Sequence, residues 1–182
     1  MAAEPELETA RLKLRRWRRG DREPFAAINA DPRVMEHFLA PLSRGQSDEL
    51  IERIEQGFDQ HGFGLWALEV GEGGELIGLT GLSVPEFEAG FTPAVEVGWR
   101  LAATAWGHGY ATEAARAALG FGFESCGLEE VVSFTSAGNR RSRAVMERIG
   151  MRRDAQGDFD HPWIPAGHPL RRHVLYRLRA PR

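Results

Sequence analysis

The spacing of apolar residues alternates along the chain between a period of two, typical of strands, and a period of three to four, typical of helices. The clearest period of two lies in residues 95–101, which places Val95, Val97, Trp99 and Leu101 on one face and Glu96, Gly98 and Arg100 on the other. An alanine-rich segment, residues 112–124, has the composition of a helix. The sequence therefore predicts a strand that leads through a short turn into a helix.

Other segments continue this alternation over the rest of the chain. Strands are predicted at residues 11–16, 65–70, 76–84, 131–135, 151–159 and 173–178, with a hairpin turn at 71–74. Further helices are predicted after Asp21, after the capping-box pair Ser43 and Gln46, and at residues 140–149 before Gly150. There is no internal repeat and no linker, so the pattern predicts a single α+β domain, residues 1–182, with a mixed sheet.

The turn between the strand at 95–101 and the helix at 112–124 has the composition of an anion site. Gly107 and Gly109 lack a Cβ and can take positive φ angles, so a phosphate can approach the main chain closely. The first N–H groups of a helix have no partner within it, and the helix dipole is positive there. A P-loop is excluded because the only lysine is Lys13, and a dinucleotide fingerprint is excluded because Thr112 replaces its third glycine. A tight turn without a ligand is the alternative.

Residues 106–114 read W-G-H-G-Y-A-T-E-A, which resembles the R/Q-x-x-G-x-G/A pyrophosphate loop of the GNAT superfamily of N-acetyltransferases. Trp106 stands at the Arg/Gln position, Gly109 at the Gly position and Ala111 at the final Gly/Ala position. The resemblance extends to E-V-G-W-R-L at 96–101, N-x-x-S-x-x-V-M-E-R-I-G-M at 139–151, R-L-x-L-R at 11–15 and H-V-L-Y-R-L at 173–178. The set is similar to the RimJ/RimL-like branch, whose members acetylate N-terminal amines of ribosomal proteins.

The resemblance implies a GNAT fold, a mixed and mostly antiparallel sheet flanked by helices, whose central strands splay apart around acetyl-CoA. The implied cofactor-binding residues are Val97, Trp99 and Leu101 on the strand, Trp106, Gly107, His108, Gly109, Tyr110, Ala111 and Thr112 in the loop, and Asn139. It also implies catalytic roles for Glu96, as a general base acting directly or through a water, and for Ser142, as the acid that protonates the leaving thiolate. Many members of the family have no dedicated base and let water remove the proton, so that alternative stays open for Glu96. A salt-bridged strand carboxylate, a helix cap at Asn139 and a solvent-facing helix serine are the structural alternatives.

The expected reaction is direct transfer of an acetyl group to a primary amine, either a protein N-terminus or a small molecule. Acceptor specificity is expected from residues 21–60, 85–93 and 161–169, where Phe87, Phe91 and Trp163 either line a groove or pack the loops. The alternative from another class is a non-catalytic module of the same fold that senses acyl-CoA.

Composition limits the partners and the compartment. A net charge of −3 argues against a general nucleic-acid binder, although arginines at 15–19 and 171–179 could form a local basic patch. Residues 1–8 lack the apolar core of a signal peptide, no apolar run is long enough to span a bilayer, and the single cysteine, Cys126, suits a reducing compartment. We therefore expect a cytoplasmic protein without a membrane partner. The six histidines show no metal-ligand spacing, so no metal site is expected, and a homodimer is left open.

Overall fold

The computed structural model describes residues 6–71 and 73–181. Most of the segment considered as a signal peptide, and Glu72 within the predicted hairpin turn, therefore lie outside the described residues. The helices are α1 (Arg22–Ala30), α2 (Arg44–His61), α3 (Tyr110–Glu124) and α4 (Arg140–Arg148). The strands are β1 (Leu7–Glu8), β2 (Leu12–Arg15), β3 (Leu65–Val70), β4 (Leu76–Ser83), β5 (Glu96–Leu101), β6 (Glu130–Ser136), β7 (Arg152–Asp160) and β8 (Arg172–Arg179). Apart from β1, each element lies where the sequence pattern predicts it, and each bound that was predicted is met within two residues.

The strands form one sheet in the order β1-β2-β3-β4-β5-β6-β8-β7. Neighbouring strands are antiparallel except β5 and β6, which run parallel and are paired in register only at Glu96 and Val132. Beyond that pair, towards Leu101 and Ser136, the two strands separate. The predicted mixed, mostly antiparallel α+β sheet with splayed central strands is therefore confirmed.

The two faces of the sheet are covered by different elements. Val97 and Val131 pack in one cluster with Ala115 of α3 and Met146 of α4. Arg100, on the opposite face of β5, bonds to α1 instead. A ligand that enters the gap between β5 and β6 would therefore meet α3 and α4 on one side and α1 with its following loop on the other.

Local capping signals set several element ends. Ser43 and Gln46 form the predicted capping box at the start of α2, and Gly62 ends that helix with φ of 74°. Asp21 occupies the N-cap position of α1, but its carboxylate makes no capping bond to that helix, so the predicted cap is wrong. The carboxylate instead accepts from the Arg15 guanidinium and from the main-chain N–H of Arg18.

Strand β2, predicted at residues 11–16, is less exposed than its alternating pattern indicated. Leu12 and Leu14 are buried as expected, but Arg15 is buried as well, because its guanidinium bonds to Asp21 and Glu69 at 2.7 and 2.6 Å. Burial alone would raise the pKa of Glu69, but the hydrogen bond and charge of Arg15 outweigh it and lower that pKa. The arginine-rich segment at 15–19 is thus partly folded into the domain.

Candidate active site

A cleft of about 2150 Å³ occupies the gap between β5 and β6 and continues along the N-terminal end of α3. Its walls come from the turn before α3, from β5 and β6, from the start of α4, and from the loops that follow α1, β4 and β7. Apart from Val97 and His108, the residues expected to bind a donor line this cleft together with parts of the loops expected to select an acceptor.

The turn that leads into α3 exposes a row of main-chain donors. Gly107 and Gly109 have φ angles of 81° and 80°, and Gly109 is the N-cap of α3. Among the described residues, none accepts a hydrogen bond from the main-chain N–H groups of residues 107–112, and no side chain caps the helix. A Cβ built on Gly107 would meet nothing within 4 Å, so the mouth of the turn is open. These are the features of an anion site at a helix N-terminus.

This turn is held in place by the first hairpin of the chain. Glu113 accepts from Thr9 at 2.7 Å and pairs with the Arg11 guanidinium at 2.6 Å. Arg11 also donates to the carbonyl of His108 at 2.9 Å. The bonds use side chains and a carbonyl, so the N–H groups of the turn stay free. Sequence reasoning missed this brace: Arg11 and Glu113 lie in the recognised motifs, but no local pattern relates two residues so far apart.

Beyond its one pair with β6, at Glu96 and Val132, the main chain of β5 is not paired with a strand on the side that faces the gap. Ala102 donates to Ile77 in the β4 register, so the alternation of an antiparallel pair directs the main-chain groups of Trp99 and Leu101 away from β4. Val97 lies beside the single pair with β6, and its side chain is fully buried in the core. The polar groups of Trp99 are therefore available to a ligand in the gap.

Two predicted cofactor residues have side chains engaged elsewhere. The Trp106 indole donates to the carbonyl of Leu101 at 3.1 Å and carries the Arg141 guanidinium over its ring, so it fastens the turn to the end of β5. That carbonyl is then already an acceptor within the protein. The His108 side chain is exposed, stacks on Tyr110 and does not line the cleft. Leu101 and His108 can therefore still offer their main-chain N–H groups to a cofactor.

Asn139 and Ser142 form one hydrogen-bonded unit at the start of α4. The side-chain oxygen of Asn139 accepts from the Ser142 N–H at 3.2 Å, which is the helix cap considered as an alternative. Its amide donates to Thr135 at 2.9 Å and to the Ser142 hydroxyl oxygen at 3.1 Å. Both amide hydrogens are thereby used, so the Asn139 side chain can meet a ligand only as an acceptor. No described residue accepts the Ser142 hydroxyl proton, and that hydroxyl lines the cleft as a free donor.

Glu96 lies where β5 and β6 part and lines the cleft from the face opposite Val97. Burial raises the pKa of its carboxyl group to about 8, partly opposed by a hydrogen bond from Ser83 on the neighbouring strand. No described basic side chain is paired with it, so the salt-bridge alternative is not what the structure has. Gly98 keeps the adjacent space open, because a Cβ there would lie 3.8 Å from the Glu96 carboxylate oxygen. The carboxylate is thus a proton acceptor of near-neutral pKa beside empty space.

The raised pKa of Glu96 predicts a pH-dependent stability. At pH values below about 4.5, the folded and unfolded chains both hold this proton; between about 4.5 and about 8 only the folded chain holds it. The free energy of unfolding therefore decreases as pH rises through that window. Glu96→Gln is expected to be more stable than the wild type at pH 8, with the difference shrinking towards pH 5 in urea unfolding. The exposed helix variant Glu49→Gln is the control; an equal pH trend in both variants would contradict the burial of the Glu96 carboxylate.

An aromatic wall closes the far end of the cleft. Phe134 of β6 packs with Phe87 at 5.5 Å and with Phe159 at 5.6 Å, and Phe87 packs with Trp163 at 5.6 Å between ring centroids. Phe87 and Trp163 line the cleft and Trp163 is 61% exposed, whereas Phe91 packs behind them without lining it. Phe87 and Trp163 therefore line the groove, whereas Phe91 packs the loops.

Other candidate chemistry finds little support in the described residues. Cys126 does not line the cleft, and burial raises the pKa of its thiol, which disfavours a nucleophilic thiolate. No group of three or more His, Cys, Asp or Glu within residues 6–71 and 73–181 is placed to hold a metal ion. None of the helices in that part of the chain is long and apolar enough to cross a bilayer.

Comparison with known proteins agrees with this geometry. Residues 11–152 match the family model described as Acetyltransferase (GNAT) domain. The chain is 32% identical to YkkB of Bacillus subtilis (strain 168) over 83% of this chain and 87% of that protein. It is 34% identical to the FsC-acetyl coenzyme A-N(2)-transacetylase of Aspergillus fumigatus over 82% of this chain and 66% of that protein. The crystal structure of an acetyltransferase from Agrobacterium tumefaciens str. C58 superposes with a TM-score of 0.78 at 32% identity, covering 96% of this chain and 94% of that one. The chain belongs to the GNAT family of N-acetyltransferases.

Proposed function

We propose that the protein transfers an acetyl group directly from acetyl-CoA to a primary amine. The observation that carries the proposal is the row of unpartnered N–H groups at the start of α3, which opens beside the unpaired edge of β5. A diphosphate at residues 107–112 would direct the pantetheine arm along that edge, towards Glu96. The name of the Aspergillus fumigatus relative, with acetyl coenzyme A as donor and a nitrogen as acceptor, supports the same pair of substrates.

The cleft supplies the groups that the transfer needs. The amine nitrogen attacks the thioester carbonyl carbon, a C–N bond forms and the C–S bond breaks. Glu96 takes the proton that the amine loses, and its raised pKa keeps it a competent base near neutral pH. The leaving thiolate takes the hydroxyl proton of Ser142, which solvent then restores, and a main-chain N–H of β5 stabilises the oxyanion. Asn139, as a positioning residue, holds the Ser142 oxygen so that its proton points into the cleft.

The sequence also supports proposals on the extent of the domain, its location and its branch of the family. We propose a single N-acetyltransferase domain over the whole chain, located in the cytoplasm, and a kinship with the RimJ/RimL-like branch that rests on the motifs at 96–101, 106–114 and 139–151. The acceptor is then a protein N-terminus or a small-molecule amine.

A coupled assay separates the transferase from the acyl-CoA sensor. The protein is mixed with acetyl-CoA and a panel of small amines and N-terminal peptides, and free thiol is followed together with acetylated product. Thiol release that depends on both the amine and the protein supports the proposal. Tight acetyl-CoA binding with no release for any amine supports the sensor, and binding of ATP or NAD in preference to CoA would contradict both.

Ser142→Ala tests the proton donor. It is expected to lower kcat by roughly tenfold or more, because the thiolate must then be protonated by water, while the affinity for CoA changes little. Calorimetric titration with CoA and steady-state kinetics provide the two numbers. Ser125→Ala, at the exposed C-terminal end of α3, is the control. Full turnover in Ser142→Ala would remove the acid role from this residue.

A further inference from the structure

Arg100 is a cation in the cleft that the protein itself does not neutralise. It lies on the same face of β5 as Glu96 and lines the cleft. One guanidinium nitrogen, Nη1, donates to the side-chain oxygen of Asn29 at 2.7 Å. The Nε atom is buried and has no hydrogen-bond partner, the one such side-chain atom among the described residues.

No carboxylate of the described residues compensates this charge. Burial alone lowers the pKa of Arg100 to about 10, with no acidic group acting against it, and the guanidinium is still charged at neutral pH. The Phe38 ring covers one face of the group at 4.3 Å, which removes water without supplying an anion. A buried charge with an unmade hydrogen bond destabilises a protein unless something pairs with it.

Arg15 shows how this fold treats an arginine whose role is structural. Arg15 is buried, and its guanidinium bonds to two carboxylates, those of Asp21 and Glu69, at 2.7 and 2.6 Å. Arg100 has one neutral amide partner instead, and that amide is itself held by Ser47. The difference indicates that the missing partner of Arg100 is a ligand rather than part of the protein.

The position of Arg100 indicates whether it binds the acetyl donor or the acceptor. The donor's diphosphate is assigned to the start of α3, and Asn139 and Ser142 approach from the face that α3 and α4 cover. Arg100 lies on the opposite face, between α1 and Phe38. It lies four positions after Glu96 in the strand, which is about 13 Å between Cα atoms when the chain is extended. An acceptor with its amine at Glu96 can therefore place a second group at Arg100.

Building on the proposed transfer reaction, we infer that the acceptor amine also carries an oxyanion, a carboxylate or a phosphate, which binds the Arg100 guanidinium in the cleft. The planar guanidinium offers parallel N–H groups that match either oxyanion. The Nε that lacks a partner is then satisfied by the acceptor, together with Nη2. The acceptor is a zwitterion, with a cation at the proposed base and an anion at the opposite end of its binding site.

Matched acceptors test the inference on the wild-type enzyme. With saturating acetyl-CoA, kcat/KM is measured for γ-aminobutyrate and ε-aminocaproate, each beside its amide, and for phosphoethanolamine beside ethanolamine. Because the site has a buried charge to satisfy, kcat/KM of at least one oxyanion-bearing acceptor is expected to exceed that of its partner without the oxyanion by roughly 30-fold or more. Preference within the first two pairs identifies a carboxylate, and preference within the third a phosphate.

Variants of Arg100 connect that preference to the residue. Arg100→Gln keeps a donor for Asn29 and removes the charge. It is expected to reduce kcat/KM for the preferred acceptor by roughly 30-fold and to change that of the partner without the oxyanion by less than about threefold. Arg100→Lys is expected to recover part of the loss. Arg53→Gln removes an exposed positive charge from the rim of the same cleft and is the control. CoA affinity, measured by calorimetry, is expected to be unchanged in all three.

Three results would overturn the inference. Amines without an oxyanion that are acetylated as well as their oxyanion-bearing partners would show that no anion is recognised. An equal loss for both members of each pair in Arg100→Gln would make Arg100 structural. A loss of CoA affinity in that variant would assign the guanidinium to the donor. Absence of thiol release with every amine is a different failure, since it contradicts the transferase itself.

Discussion

Gly109→Val is expected to weaken CoA binding by roughly 100-fold while the protein still folds, because a β-branched residue disfavours the positive φ that aims the N–H groups at the diphosphate. The present φ at Gly109 is 80°, and this residue is the N-cap of α3. A Cβ there would also approach the Arg11 guanidinium at 3.6 Å, which braces the turn. The affinity is measured by calorimetric titration with CoA.

The control for Gly109→Val must carry the same backbone strain in another place. Gly127 has φ of 65°, is exposed, and has nothing within 4 Å of an added Cβ, and it lies between α3 and β6. Gly127→Val should reduce the free energy of unfolding by a similar amount, roughly 1–3 kcal/mol, and leave CoA affinity unchanged. Equal CoA affinity in the two variants would count against the turn as the diphosphate site.

Glu96→Gln is expected to lower kcat/KM by roughly 10²- to 10⁴-fold at pH values above 8, because the amine then loses its general base. Since burial raises the pKa of Glu96 to about 8, wild-type activity should rise with pH up to that value and then level off. Activity rises with pH because a general base can accept a proton only in its deprotonated form. The variant should lack this rise.

The titration of the acceptor must be separated from that of Glu96. An acylhydrazide serves as the acceptor, because its nitrogen is neutral over the whole pH range. Glu86→Gln changes an exposed carboxylate that also lines the cleft, and it should keep the wild-type profile. A Glu96→Gln profile that matches the wild type would leave deprotonation to water.

Much of the fold follows from short-range patterns. The period of two at 95–101 predicted the two faces of β5 because one face packs in the core with Val97 and the other faces the cleft with Glu96 and Arg100. Ser43 and Gly62 mark the ends of α2 through bonds to their own neighbours. The start of α3 was predicted at Thr112, two residues late, because Gly109 caps the helix through its backbone conformation and leaves no side-chain signal.

The features that sequence reasoning missed are contacts between distant residues. Arg11 and Glu113 brace the turn across about a hundred residues of chain, and Arg15 is buried by carboxylates of two other segments. The solvation of Arg100 depends on α1 and on Phe38, neither of which is near it in sequence. Motifs identified Glu96 and Ser142 as candidates, but the pKa of the one and the free proton of the other depend on the folded surroundings.

The central claim is that free main-chain N–H groups at the start of α3 hold the diphosphate of CoA. Its most direct test is a titration of the isotope-labelled protein with CoA, following the amide resonances of residues 107–112 by NMR. We predict large downfield shifts of these amide protons, saturating with the dissociation constant found by calorimetry, and no such shifts with pantetheine, which lacks the diphosphate. Saturation with CoA while these resonances stay in place would contradict the claim.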